Sequence, residues 1–358
     1  MRTCMTPSAT WSVAVDMLKV DGFRVTDPAT LSSAQIVKAC ARHGQLVVQF
    51  SNSNAYDTRS LKALNEACST EAHRLEVRFY GHYQTGFDAS VLAALPEVRT
   101  LSIDCLHHIT NEDELGRLPN LKSLSFGVFE FDRPDFPASL PLGSLEQLAL
   151  IETRKRNFNL SALAKCVALR ELFINGHSKG ISAIATLPRL GKLTLSGYAK
   201  TGVLDFIKTM PALESLTLVL GGRPDIDDLT SDTLKTLQIL RVKGLSSLGD
   251  LSRFPALCAL RIEDQLRLDR LDLAGADLQR LSLFNCRNLA ELPGLEKQNQ
   301  LREFSASGVA FNLNDLRTFD WPPATSSVHL FSRSRKWNDD TAAHLASRGL
   351  DKKREPWP

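Results

Sequence analysis

Apolar and polar positions along the chain fall into one recurring phrase, Leu-x-x-Leu-x-Leu, usually introduced by Leu-Pro or a close substitute. It reads VRTLSI at 98–103, LKSLSF at 121–126, LEQLAL at 145–150, LRELFI at 169–174 and LGKLTL at 190–195. LESLTL at 213–218, LQILRV at 237–242, LCALRI at 257–262, LQRLSL at 278–283 and LREFSA at 301–306 complete ten copies, spaced 20 to 24 residues apart. Within a phrase the fourth and sixth residues alternate with a polar or small one, which is the period of a half-buried strand. One such strand cannot bury its apolar face alone. The copies are therefore expected to stack into a parallel sheet whose inward residues form a continuous ladder. The intervening stretch must cross back, and Leu95-Pro96, Leu118-Pro119, Leu187-Pro188, Met210-Pro211 and Phe254-Pro255 mark its return.

Both ends depart from the short period. GQLVVQF at 44–50 and HRLEVRF at 73–79 read as equivalent strands 29 residues apart. Ser60 to Ala72 between them reads as a helix with Leu61, Leu64 and Cys68 on one face, and Ser33 to Arg42 as another, stopped by Gly44. At the far end, Val328 to Phe331 is expected to add a last strand. Asn338-Asp339-Asp340 is expected to cap a helix through Ala342 to Arg348, closed by Gly349.

The phrase and its spacing resemble the leucine-rich repeat family in its short bacterial, internalin-like form, over roughly residues 72–330. The longer units before residue 98 are similar to the strand-plus-helix repeats of the ribonuclease-inhibitor type. The resemblance implies an α/β solenoid, with a curved parallel sheet on the concave face and turns or short helices on the convex one. It would run as one continuous domain: an N-terminal cap and longer repeat at 1–71, the array at 72–330, and a C-terminal cap helix with a basic tail at 331–358. The family usually carries Asn or Cys three residues after the last Leu of the phrase. Cys286 fits, whereas Leu106, Phe129, Thr153, His177, Tyr198 and Gly221 stand there in other copies, so irregular turns are expected. The chain lacks the LPxLP-rich repeats of bacterial ubiquitin-ligase effectors, and no catalytic domain is expected after residue 331.

Composition sharpens this picture in two places. Of 358 residues, 43 are Lys or Arg and 40 Asp or Glu, and the whole +3 excess lies in residues 331–358. A neutral body argues against a general binder of nucleic acid or anionic membrane, which needs a broad positive field. Seven scattered Cys with no CxxC pair fit neither a disulfide framework nor a zinc site, and most of them read as small buried hydrophobes. No secretory signal core is read at the N-terminus, so a cytoplasmic setting is expected. The alternative is export by a signal-peptide-independent route, to which the Ser/Thr-bearing first ten residues would be suited.

Three segments could carry chemistry. Gly176-His177-Ser178-Lys179-Gly180 matches the G-x-S-x-G elbow of serine hydrolases and follows an apolar strand, with His329 or His344 downstream as a possible base. Its residues nevertheless sit in register with the repeats on both sides, which makes it the turn of the fourth copy. Asp104, Cys105, His107 and His108, and the acidic run at Asp225, Asp227 and Asp228, lack the spacings of zinc or calcium sites. No catalytic residue, metal or cofactor is therefore expected.

The informative surface is the outward face of the strands, where neighbouring copies lie ~4.8 Å apart. Counting along the phrases places Arg241, Lys243, Arg261 and Arg280 on three successive strands with Phe284 adjacent, and Ile151 with Phe173 as an apolar spot. Arg241 beside Arg261 would repel without an anionic partner, although Glu263 and Glu303 could neutralise the cluster locally. These seven residues form the candidate site of a non-enzymatic, monomeric interaction scaffold. Its partner is expected to be another protein, one with an acidic patch being suited. A bacterial effector or a toxin-neutralising protein fits that description. A purely structural or oligomerising array is the other reading.

Overall fold

The computed structural model describes residues 18–71, 73–198 and 202–357. The chain opens with β1 (Arg24–Thr26), α1 (Ser33–His43), β2 (Leu46–Phe50), α2 (Thr58–Glu71) and β3 (Leu75–Gly81). It continues through β4 (Phe87–Asp88), β5 (Thr100–Leu106), β6 (Ile109–Thr110), β7 (Ser123–Val128), β8 (Gln147–Leu150), β9 (Glu171–Asn175) and β10 (Lys192–Ser196). Then follow β11 (Ser215–Val219), β12 (Thr236–Leu240), β13 (Ala259–Glu263), β14 (Arg280–Phe284) and β15 (Glu303–Ser307). The last elements are α3 (Leu313–Thr318), β16 (Ser327–Phe331) and α4 (Arg335–Ser347). Fourteen of the strands form one parallel sheet in sequence order, and the short β4 and β6 pair separately. This is the leucine-rich repeat solenoid that the sequence pattern implied. The first ten residues, considered above as an export signal, lie outside the described residues.

The core is the ladder that the alternation requires. On β11, Leu216 and Leu218 point inward while Thr217 points out, and the same residues pair in register with Leu193 and Leu195 on β10. Short 3-10 turns carry most of the return, for example Ile181–Thr186 and Asp205–Thr209, and bury one or two apolar side chains each. Helices replace them at the start. Ser32 and Gln35 close a reciprocal capping box on α1, and Gly44 ends it at φ 79°. Burial pushes the Cys40 and Cys286 thiols up to about 11 and those of Cys68 and Cys166 to about 12, which makes them inert apolar filling.

Two sequence expectations change. The terminal helix starts earlier than the acidic run suggested: Ser334 is the N-cap of α4, and Asn338 lies inside the helix, where its Oδ1 accepts from the Ser332 N–H. More consequential is the seventh repeat. β12 pairs Leu237 with Leu216 and Leu260, and Ile239 with Leu218 and Ile262, so the phrase is LKTLQI at 234–239 and not LQILRV at 237–242. The eighth residue of the phrase explains why. It turns the chain off the sheet in the left-handed region at Gly176, Gly197, Leu220, Asp264, Asn285 and Gly308, and in the seventh copy that residue is Arg241, at φ 56°.

This register makes a measurable distinction. Ile239 is fully buried, whereas Leu240 is half-exposed on the open face. Ile239→Ala is expected to cost about 2–5 kcal/mol in urea denaturation, and Leu240→Ala less than about 1 kcal/mol. The reverse order would restore the shifted phrase.

Candidate binding face

The outward residues of neighbouring strands line up in rows because the pairing has no slip from β7 to β16. The middle row runs Ser125, Ala149, Phe173, Thr194, Thr217, Gln238, Arg261, Ser282, Ser305 and His329. Over β3 to β10 the face is hollow, enclosing a trough of about 330 Å³ whose lining includes Ser102, Ser125, Ala149, Phe173 and Thr194. Phe173 stands in that trough between Ala149 and Thr194. Ile151 lies just past β8, and Gly127 beside it makes room, since a Cβ there would meet the Ile151 Cβ at 3.0 Å.

The basic cluster is assembled differently from the sequence expectation. Arg241 and Lys243 leave the sheet face, and Gln238 and Leu240 occupy their expected positions beside Arg261 and Glu263. Arg241 sits in the turn and its Nε donates to Asp264 Oδ2 at 2.9 Å, so the repulsion with Arg261 does not arise. Lys243 follows in the same turn, exposed, with its backbone bonded to Gly221 and Arg223. Asp264 is held below the usual carboxylate range, first by the hydrogen bond from Asn285 and then, against some desolvation, by Arg241.

Arg261 and Arg280 remain on the face, each with a carboxylate. Arg261 Nη2 lies 2.7 Å from Glu263 Oε2, and Arg280 Nη2 lies 3.3 Å from Glu303 Oε1. Both also meet the end of the chain. The Trp357 ring centroid is 4.5 Å from the Arg280 Cζ and 6.0 Å from that of Arg261. Nothing in the repeat pattern signals this contact, which joins residues more than seventy positions apart.

A third row closes the face at the strand ends: Val219, Leu240, Glu263, Phe284, Ser307 and Phe331. Phe284 is 50% exposed and Phe331 41% exposed, on either side of the small Ser307. Both also line a groove of about 860 Å³ with Arg287, Phe311, Arg333 and Trp337, between the strand ends and α4. The sequence held a signal for Phe331. Extending the phrase to Thr325-x-x-Val328-x-Leu330 puts it in the same position as Phe284.

The segments that suggested chemistry serve the turns. His177 is buried, with its Nε2 donating to the Ile151 carbonyl at 3.0 Å and its Nδ1 accepting from the Phe158 N–H at 3.1 Å. Both ring nitrogens are thereby committed to the backbone, and Gly176 and Gly180 supply left-handed turn residues at φ 76° and 72°. His329 lies seven strands from β9, roughly 34 Å at ~4.8 Å per strand, so it cannot serve Ser178 as a base. Asp104 accepts from Arg78 at 2.7 Å, and His107 stacks on Phe129 with ring centroids 5.9 Å apart. Asp228 is engaged by Arg223 and by the Leu204 N–H. Some other copies carry a polar side chain in the place of His177. Thr153 bonds the Arg156 carbonyl at 2.6 Å, and Gln265 that of Glu263 at 2.8 Å. Leu106, Phe129, Gly221, Val242 and Val309 hold the same place without a polar side chain, so the turns are irregular, as expected.

Burial holds His82, His177 and His329 below the ordinary histidine pKa, which is about 6.5. The unfolded chain takes up these protons near that value and the folded chain only at lower pH, so stability is expected to fall as pH drops below about 6.5. His177→Ala is expected to cost about 1–3 kcal/mol for each backbone group left unpaired. It should also flatten the pH dependence in denaturation series run between pH 7 and 5. An unchanged slope would remove His177 from this account.

No protein-family model matches the chain, and neither does any curated protein. Among solved structures, an internalin (inlF) from Listeria monocytogenes is 14% identical, covers 87% of each chain and superposes with a TM-score of 0.42. The functional domain of InlJ from the same organism is 15% identical over 86% of this chain and 62% of its own, with a TM-score of 0.47. A chain of the Drosophila Toll–Spatzle complex is 14% identical over 86% of this chain and 50% of its own, with a TM-score of 0.44. Likeness at that level bears on neither partner nor activity. The repeated phrase and the in-register sheet are what identify the fold of this chain, by its own geometry, as a leucine-rich repeat solenoid.

Proposed function

We propose that the chain is a non-enzymatic interaction scaffold that binds another protein on the concave sheet face. The observation that carries this reading is the pair of exposed rings, Phe284 and Phe331, in one row of the sheet face on either side of Ser307. Each Å² of apolar surface left in water costs about 25 cal/mol, and aromatic and Arg anchors are the residues that concentrate binding energy. Phe173 and Ile151 would extend the contact toward the N-terminal trough, and Arg261 and Arg280 would flank it. Arg241, Lys243, Arg287 and Arg333 stand exposed along the strand ends and would favour a partner with an acidic patch. The reading includes a monomer in the bacterial cytoplasm, or one exported without a signal peptide, in an effector or toxin-neutralising role. No helix among the described residues is long and apolar enough to cross a membrane.

Photo-crosslinking tests it. A benzoyl-phenylalanine placed at 284 or 173 should trap one and the same protein in producing cells, whereas at Val167, exposed on a return turn, it should not. Phe284→Ala with Phe331→Ala should weaken that partner at least tenfold and leave the denaturation midpoint unchanged. Equal trapping at all three positions would overturn the reading.

A further inference from the structure

The chain beyond α4 does two separate things. Leu350 to Lys352 run antiparallel to β16: the Val328 N–H donates to the Leu350 carbonyl at 2.8 Å, and the Lys352 N–H to the Ser326 carbonyl at 3.0 Å. That pairing covers the open edge of the sheet, which is what an end cap must do. The chain does not stop there. Glu355 to Trp357 cross inward over β15 and β14 toward β13, on the concave face.

The contacts there are those of a bound ligand. The Glu355 N–H donates to Glu303 Oε2 at 3.2 Å. Arg280 Nη2 donates to the Glu355 carbonyl at 2.7 Å and Nη1 to the Pro356 carbonyl at 3.3 Å. Pro356 has no N–H to leave unpaired over the sheet. The indole of Trp357 then lies against the Arg280 and Arg261 guanidiniums, a cation–π arrangement that gains strength as water is excluded. Glu303 is only 5% exposed and holds Arg280 in place from beneath. Three of the five contacts go to backbone groups, which any extended peptide offers. The side-chain requirement falls on the tryptophan alone.

We propose that the concave surface of β13 to β15 is a binding site for an extended, tryptophan-bearing peptide segment, occupied in the free chain by its own residues 355–357. The inference deepens the interaction reading above, from which it takes the concave face as the recognition surface. A tethered occupant has an effective concentration on the order of 1 mM, so an outside segment must displace it to bind. The tail sets a threshold on access to Arg261 and Arg280.

The probe is a fluorescein-labelled peptide of residues 353–358, titrated by anisotropy against the chain shortened after Lys353, which keeps the β16 pairing. Saturable binding is expected with a Kd of about 0.1 mM or tighter, which a tethered occupant at about 1 mM weakens at least tenfold in the intact chain. Replacing Trp357 by Ala in the peptide should weaken binding tenfold or more, without any change to the protein. Trp357→Ala in the intact chain should raise its affinity for the unmodified peptide to that of the shortened chain. Arg261→Ala, at a partly exposed position, should weaken binding to the shortened chain. Absence of saturable binding, equal affinity of intact and shortened chains, or indifference to the tryptophan would each overturn the proposal. Peptide binding with failed crosslinking would leave this site standing and remove the protein-partner reading. Successful crosslinking without peptide binding would do the opposite.

Discussion

Every other feature of this molecule depends on the register of its parallel strands. A strand with period-two alternation has one apolar face, and in a chain of short repeats only the next copy can cover it. Leu216 needs Leu237 beside it, Leu237 needs Leu260, and a slip of one residue would turn the whole inward set to solvent. The same constraint fixes where each strand ends. From β9 to β15 the chain leaves the sheet at the same point in each repeat, and that is why residues as unlike as Leu220, Arg241, Asp264 and Asn285 adopt one left-handed conformation. For a residue with a side chain this costs roughly 1–2 kcal/mol. The sheet bonds on either side hold it there: the Arg241 N–H reaches the Glu263 carbonyl at 2.9 Å.

Stacked strands oblige the turns beside them to stack too, and buried turns carry backbone groups that water cannot reach. The solutions are local and varied. Thr153, His177, Gln265 and Gln298 each satisfy carbonyls or N–H groups of adjoining loops, with a hydroxyl, an imidazole or an amide doing the same task. The histidine answer carries a condition the others lack. It works only while Nδ1 is free to accept, so of these four it is the turn that acid can loosen.

The sheet, its order and most outward positions were legible from the phrase alone, because periodicity is a local property repeated many times. The seventh repeat was not, for a physical reason that can be located. LKTLQILRVKG holds two overlapping Leu-x-x-Leu-x-apolar phrases, one from Leu234 and one from Leu237. The false one even ends at a glycine, Gly244, in the place where a left-handed residue belongs. Only hydrogen bonding to β11 and β13 separates them. The two readings put different chemistry on the face, basic Arg241 and Lys243 in one, Gln238 and half-buried Leu240 in the other. The expected basic stripe thus shrinks to Arg261 and Arg280. The contact of Trp357 with both lies beyond any repeat argument, since the tail has no copy to be compared with.

Those two arginines change what the face can attract. Each is matched by a carboxylate of its own strand or the next, Glu263 for Arg261 and Glu303 for Arg280. A guanidinium already neutralised offers little long-range pull. What remains is its flat face and its unused N–H groups, which suit an aromatic ring and backbone carbonyls better than a second carboxylate. Trp357 and the carbonyls of Glu355 and Pro356 are that combination, drawn from the same chain. Exposed basic charge with no carboxylate pair sits elsewhere, on Lys243, Arg287 and Arg333, where under the proposed function it would steer an acidic partner without filling the centre. On the proposed reading the face would divide its work: the rim would attract by charge, and the centre would discriminate by shape and by an aromatic ring.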